Sequence, residues 1–279
     1  MQAQSQDLDN LRRRLRTIDQ PPRRLYGSLD GTKIPLKEEW RELKIGSWYR
    51  CPMGSTRWSP EPKGATEVGD TSALRAKDIT YYCDLAGAQA FGDLLWATGY
   101  QRSADVAEEV VFVADGAAWI WKLVQHHFPH AVQIVDWYHA VEYLAPIAHA
   151  AFGEDSPEAK QWLKAIRTHL WEGRVQKVIA ACRELADHPQ AKGPAQKAIT
   201  YYTNNGKRMD YGRLRKAGYQ IGSGTVESGC KQIATQRLKR AGARWTEEGA
   251  RYTAKARAAW LSGQWDRLDA LNDQLALAA

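Results

Sequence analysis

Four carboxylates and one imidazole stand where this chain could act on phosphate esters: Asp30, Asp115, Glu227, and the pair Asp136 and His139. Cleaving a phosphodiester at neutral pH needs an activated water and neutralisation of charge on the leaving oxygen. Two Mg²⁺ ions about 3.5–4 Å apart supply both. Mg²⁺ takes a few carboxylates plus water rather than a closed protein cage. Rigid supports for such acids occur at strand ends, where open α/β sheets gather their ligands.

Each position also has a plainer use. Asp30 follows the apolar run Leu25–Leu29, with Gly31 leaving room beside it, but the dipeptide equally suits an Asp-Gly turn. Asp115 closes Val110–Ala114, the most strand-like run in the chain, and could instead cap the next helix. Glu227 falls in the first turn of a helix after Gly222-Ser223-Gly224, where the helix dipole favours any acid. Asp136 and His139, three apart, share one helical face. They form either a cap that orients an imidazole or a cap beside a half-buried His. Gly224–Lys231 is not a phosphate loop: Lys231 is displaced by one, no Ser or Thr follows it, and no apolar strand leads into the first Gly. Lys231, Arg237, Lys239, Arg240 and Arg244 ride on or just past the Glu227 helix. A phosphate backbone lying across the carboxylates would need such cations, and a solvated helix face is the alternative. His126, His127 and His130 show no ligand spacing.

The elements that must position these residues follow from periodicity. Residues 1–24 read as a short helical segment ended by Pro21-Pro22. Leu25–Leu29, Trp40–Cys51 and Ile79–Leu85 read as antiparallel strands, the last two separated by the Pro/Gly/Ser-rich stretch Pro52–Thr71. Ala86–Tyr100 has helical spacing, with Phe91, Leu94, Leu95 and Trp96 on one side. The continuous apolar run Val110–Ala114 suits a strand buried on both faces. A helix around Trp119–Val124 and a second buried strand, Ala131–Val135, follow it. Strand, helix, strand in that order implies a parallel pair. The expectation is therefore an α/β fold: an RNase H-like mixed sheet flanked by helices.

From Trp137 to about Gln220 the pattern is helical: Trp137–Phe152, Pro157–Trp171, Arg174–Ala186 and Gly193–Tyr202. It reads as an all-helical insertion before a long basic helix reaching about Arg240. The predicted division is a helical remnant over 1–24, a catalytic core over 25–136 and 221–262, the insertion over 137–220, and a tail helix over 263–279.

Bulk properties exclude other classes. No run approaches the roughly 18 apolar residues of a membrane helix, and no apolar segment follows the first charges as in a secretory signal. The four Cys are far apart and form no CxxC pair, which argues against a zinc ribbon or a disulfide framework. A reduced, cytoplasmic protein associated with the nucleoid is the expectation. The net charge is +7, and residues from Tyr201 onward, with 14 Lys+Arg against 7 Asp+Glu, carry the whole excess. Arg12, Arg13, Arg14, Arg16, Arg23 and Arg24 form a second cluster. Such patches attract polyanions.

Taken together, LDGTKIP at Leu29–Pro35, VVFVADGAAWIW at Val110–Trp121, DWYHAVEYL at Asp136–Leu144 and IGSGTVESGCKQIATQRLKRAGARW at Ile221–Trp245 resemble bacterial insertion-sequence transposases of the ISKra type. More distantly they are similar to Mutator-like elements. The resemblance covers about Leu25 to Trp260. It implies an RNase H-like core with an Asp-Asp-Glu triad that binds two Mg²⁺ or Mn²⁺ ions, carried onto Asp30, Asp115 and Glu227. It also implies a helical insertion before the Glu, and a supporting x-x-His signature on Asp136 and His139. The implied partners are double-stranded DNA, as inverted-repeat ends and target, and further copies of the chain assembled on it, with no membrane. Two departures stand out. Only 29 residues precede Asp30, too few for a helix-turn-helix domain with its own core, so a truncated, split or domesticated copy is expected. Ala241-Gly242-Ala243-Arg244 stands where the resemblance leads one to expect Gly-Met-Arg. The competing expectations are an RNase H-like nuclease without transposition and an inactive DNA-binding remnant.

Overall fold

The computed structural model describes residues 21–51 and 76–266. The predicted N-terminal helical segment, the Pro/Gly/Ser-rich stretch and the tail helix fall wholly or mostly outside them. Five strands form one sheet in the order β3-β2-β1-β4-β5: β1 (Arg24–Pro35), β2 (Trp40–Arg50), β3 (Lys77–Asp84), β4 (Glu109–Ala114) and β5 (Val132–Val135). β1 pairs with β2, and β2 with β3, antiparallel; β4 joins β1, and β5 joins β4, parallel. This is the mixed RNase H-like sheet flanked by helices that the run of elements implied.

The first strand is longer than its apolar run. Asp30 and Gly31 do not turn; they continue β1, paired with Ile45 and Lys44. A two-residue turn signal yields here to a complete ladder, because each backbone N–H and C=O left unpaired in a buried sheet is costly. Side chains alternate across the sheet as strand geometry requires. Tyr82 joins one core with Leu25, Leu29, Trp48, Tyr49 and Phe112. Tyr81 and Cys83 join another with Ile34, Leu43 and Ile45.

Helices α1 (Ala88–Gln101) and α2 (Ala118–His127) cover the first face. Of the predicted α1 stripe, Phe91 and Leu95 are buried, while Leu94 and Trp96 are half-buried at its edge. Trp48, Phe112 and Phe128 meet edge-on or tilted at ring centroids 5.3–5.5 Å apart. Gly27, beside Phe112 on the neighbouring strand, makes room for that ring: a Cβ there would lie 2.5 Å from Phe112 Cε1.

After β5 the chain is helical: α3 (Trp137–Glu142), α4 (Ala145–Phe152), α5 (Pro157–Trp171), α6 (Val175–Ala186), α7 (Lys192–Asn205) and α8 (Tyr211–Lys216). The single helix expected over Trp137–Phe152 is two, because Pro146 cannot donate the bond that would continue it. Trp137 anchors this bundle, with its ring against Trp171 and Tyr211 at 5.0 and 5.1 Å. Tyr202 and Tyr211 donate buried hydroxyls to the Ala140 and Val135 carbonyls. The chain then returns along the sheet. Tyr219 donates to Glu109, which is ion-paired with Arg24, and the Gln220 N–H donates to the Tyr26 hydroxyl.

The long basic helix is interrupted. α9 (Gly224–Gly229) widens into a π-helical turn over Cys230–Thr235, and residues 236–244 are turns, a bend and irregular chain. Trp245 then pairs with the end of β1 through Pro35 and Lys37. α10 (Glu247–Leu261) closes the second core with Ala250, Ala254 and Ala258.

Phe112 is fully buried between the strands and two aromatic partners. Phe112→Ala is expected to cost about 3–5 kcal/mol, read as a lowered midpoint in urea unfolding. Gly27→Ala, which forces the same ring aside, should cost about 1–3 kcal/mol.

Candidate active site

Sheet register aligns three of the acids. The parallel pairing of β1 with β4 runs from Arg24 opposite Glu109 to Gly27 opposite Phe112; continued along both chains, it brings Asp30 level with Asp115. The pairing of β4 with β5 ends at Ala114 opposite Val135, so the next residues, Asp115 and Asp136, are also level. The Asp136 N–H extends that ladder to the Ala114 carbonyl at 2.7 Å. Asp115 and Asp136 lie just past the ends of β4 and β5, and Asp115 feels the charges of both Asp30 and Asp136, so the three carboxylates share one neighbourhood.

Each is held differently. Asp30 is half-buried, accepting from the Gly31 N–H at 2.7 Å and from the Cys230 thiol at 3.2 Å. Asp115 accepts from the Ala117 N–H at 2.9 Å in the turn before α2. Gly116, between them, has no side chain, and a Cβ there would collide with the Tyr201 ring. Asp136 is fully buried. One of its oxygens accepts from the His139 N–H at 2.8 Å, capping α3, and the other accepts from the Ser223 N–H. The Ser223 hydroxyl donates to Glu227 at 3.2 Å. Through Ser223, then, Asp136 sets the position of the helix that carries Glu227.

Asp136, His139 and Glu227 each offer a ligand atom within 4.8 Å of the other two, and this is the trio among the described residues placed to share a metal ion. Asp30 and Asp115 lie outside that trio. They belong to the same electrostatic neighbourhood, since Asp115 feels the charges of Asp30, Asp136 and His139. The pair expected from sequence to play a supporting part therefore sits among the potential ligands. The donor set is dominated by hard carboxylate oxygens, which suits Mg²⁺ or Mn²⁺, with one imidazole nitrogen that Mn²⁺ also accepts.

Burial raises the Asp115 carboxyl above its ordinary value. The Ala117 N–H opposes the shift, the Asp30 charge adds to it, and the smaller effects of His139 and Asp136 oppose and add in turn. Burial also pushes up the Tyr201 phenol, reinforced by Tyr143 and Asp115, so it stays a hydrogen-bond donor. The Cys230 thiol is pushed up by burial and then by Asp30; it remains a protonated donor, not a nucleophile. Sequence reasoning missed Cys230. Its spacing from Glu227, three residues along one helix, is the signal that could have found it.

Of the five cations proposed around Glu227, Lys239 reaches furthest in and donates to the Thr32 hydroxyl on β1. Lys231, Arg237, Arg240 and Arg244 are exposed. The Arg237 guanidinium lies 5.0 Å from the centre of the Trp245 ring, and Arg240 bonds the Gln236 carbonyl. Because the helix ends at Thr235, four of the five ride on turns and irregular chain rather than on a helix face.

No curated protein matches the chain. The family described as "Uncharacterised protein family (UPF0236)" matches over residues 95–274. Among solved structures the chain is similar to one titled "Drosophila P element transposase strand transfer complex", with 9% identity and a TM-score of 0.27, over 94% of this chain and 69% of that one. No helix among the described residues is long and apolar enough to cross a membrane.

Two stability tests follow. Asp136 uses both oxygens as acceptors for backbone N–H groups, and an amide offers only one. Asp136→Asn sets a donor against a donor and is expected to cost about 1–3 kcal/mol, measured by chemical denaturation. Asp115 behaves in the opposite sense. Its folded value is raised, so between its ordinary and its folded value the folded state binds more protons, and stability falls as pH rises through that window. At neutral pH the ionised carboxylate therefore opposes folding. Asp115→Asn keeps an oxygen for the Ala117 N–H and should raise the melting temperature at neutral pH. The gain should shrink as the pH drops below the carboxylate range.

Proposed function

We propose, from the premise that this chain belongs to the Uncharacterised protein family (UPF0236), that it is the catalytic core of a DDE-type DNA transposase resembling the ISKra type. It cleaves a DNA strand at an insertion-sequence end and transfers the freed 3′-OH to target DNA, using two Mg²⁺ or Mn²⁺ ions. In this reading residues 25–136 and 221–262 form the catalytic core and 137–220 the insertion. The protein works as a multimer on paired DNA ends.

One observation supports the proposal: Asp136, His139 and Glu227, from two distant segments, offer ligand atoms within 4.8 Å of one another, and Asp115 next to them feels the charges of Asp30 and Asp136. A structural use explains Asp136 alone, because both its oxygens are consumed by backbone donors. It does not explain Asp115, whose half-buried carboxyl is raised by burial and by the Asp30 charge. Crowded like charges in a cleft are a mark of functional sites.

Asp30, Asp115 and Glu227 would hold the ions, with Asp136 and His139 able to contribute at the Glu227 side. Bound there, a metal pair supplies an activated water and charge neutralisation at the leaving oxygen. The chain's own work is to hold and orient. The Cys230 thiol and Gly31 N–H fix one Asp30 rotamer, the Ala117 N–H fixes Asp115, and Ser223 fixes Glu227. Lys239 beside Thr32, with the exposed Lys231, Arg237, Arg240 and Arg244, offers phosphate contacts along the β1 edge of the same site. In cleavage, water adds to the scissile phosphorus as the O3′ bond breaks and O3′ takes up a proton. In transfer, that 3′-OH adds to a target phosphorus and another ester oxygen leaves.

The purified protein is tested on duplex DNA taken from both flanks of its coding sequence, where the proposal places inverted repeats, with Mg²⁺, with Mn²⁺ and with chelator. Metal-dependent nicking at the repeat ends is expected. Asp115→Asn should reduce strand transfer by at least about 100-fold, beyond the usual effect of altering an outer-sphere partner, while DNA binding persists. Joining by Asp115→Asn at the wild-type rate would overturn the assignment. Cleavage indifferent to the repeats would make the protein a nuclease without transposition.

A further inference from the structure

We infer that the cleft between α2 and α7 holds a single DNA strand leading away from the carboxylates; this rests on the proposed function and names where its substrate lies. Two cavities of about 580 and 760 Å³ share Gly116, Tyr143, Lys197 and Tyr201 and so form one trough. Asp115 and His139 line its inner end, next to Glu142; Trp121, Lys122 and Arg208 line its outer end. The trough thus starts at the candidate active site and runs between the core and the helices that follow β5.

Its chemistry matches a nucleic acid strand. Lys122 and Lys197 are exposed, and the Arg208 guanidinium lies 4.7 Å from the centre of the Trp121 ring. Three cations along a cleft that begins at acids are placed for a phosphate backbone whose scissile group lies at the acidic end. The Trp121 indole N–H and the Tyr201 hydroxyl are buried with no hydrogen-bond partner among the described residues, and Trp121 is only 4% exposed. Buried polar groups are normally satisfied, so these two donors are an unmet need of the wall between the core and the helices. Tyr143 stacks on Tyr201 at 3.9 Å, with planes 15° apart, and both rings are half-buried. Such a pair is a platform for an unpaired base, and stacking is indifferent to which base it is. A cleft of this volume takes nucleotides that have left the duplex, as strand chemistry near an end requires.

The test uses the full chain and two fluorescent DNAs: a blunt duplex and the same duplex with a single-stranded 3′ extension. Wild-type protein should bind the extended DNA more tightly. The double variant Lys122→Glu and Lys197→Glu changes exposed residues, so it should melt as the wild type does. It should lose the preference for the extension, and each lysine removed should flatten the dependence of log affinity on log salt by about 0.7. Tyr143→Ala should weaken binding of the extended DNA by about tenfold and leave the blunt duplex unaffected. Equal binding of both DNAs by the wild type, or an unchanged preference in the variants, overturns the inference. Metal-dependent end cleavage together with either result would sink the cleft alone. A preference that the variants abolish, in a protein that never cleaves, would keep the cleft as a strand-binding site and sink the transposase proposal.

Discussion

A carboxylate sealed from solvent and gripped by two backbone N–H groups ties together parts of the chain that are far apart in sequence. Asp136 follows β5, caps α3 through His139 and holds the Ser223 N–H at the mouth of α9. A buried charge is tolerated only when its acceptor capacity is used, and here each oxygen has a donor. The cost of breaking either bond fixes where the chain re-enters the sheet after the helical bundle. Glu227, four residues past Ser223, inherits its place from that contact.

Around this fixed point the site carries electrostatic strain. Asp30 lies on β1, and Asp115 and Asp136 follow directly on the neighbouring parallel strands β4 and β5. Asp136 has a backbone donor for each oxygen, whereas Asp115, held by a single turn N–H, is raised by burial and neighbouring charge. A fold under selection for stability alone would replace it with a neutral cap. Under the proposed function that cost is offset when a cation is drawn in, the usual trade of stability for function. The π turn after α9 belongs to the same setting. It carries Cys230 to Asp30 and sends the chain back along β1, so that Lys239 reaches Thr32.

The helices between β5 and α9 do more than fill sequence. Trp137, immediately after Asp136, locks them to the core through Trp171 and Tyr211, and Tyr202 ties α7 to α3. Gly116 lets Tyr201 pack against the turn that holds Asp115. One wall of the candidate site is therefore built by this bundle, at a distance from Asp115 set by a missing side chain.

The amino-acid sequence by itself determined the kinds and order of the elements. Continuous apolar runs made β4 and β5, shorter apolar runs made β1 to β3, and helical spacing made the helices, because these signals act over a few neighbouring residues. It also marked the acids that could meet. Three things were settled only in three dimensions. Asp30-Gly31 stays in a strand rather than turning, because β2 offers a full ladder. The helix after Glu227 ends at Thr235, because Trp245 is drawn back to pair with β1. His139 and Asp136 join Glu227 as a potential ligand set, and Cys230 reaches Asp30, because register and capping bring them together. Such contacts join residues tens to hundreds of positions apart, and no local pattern encodes a distance of that kind.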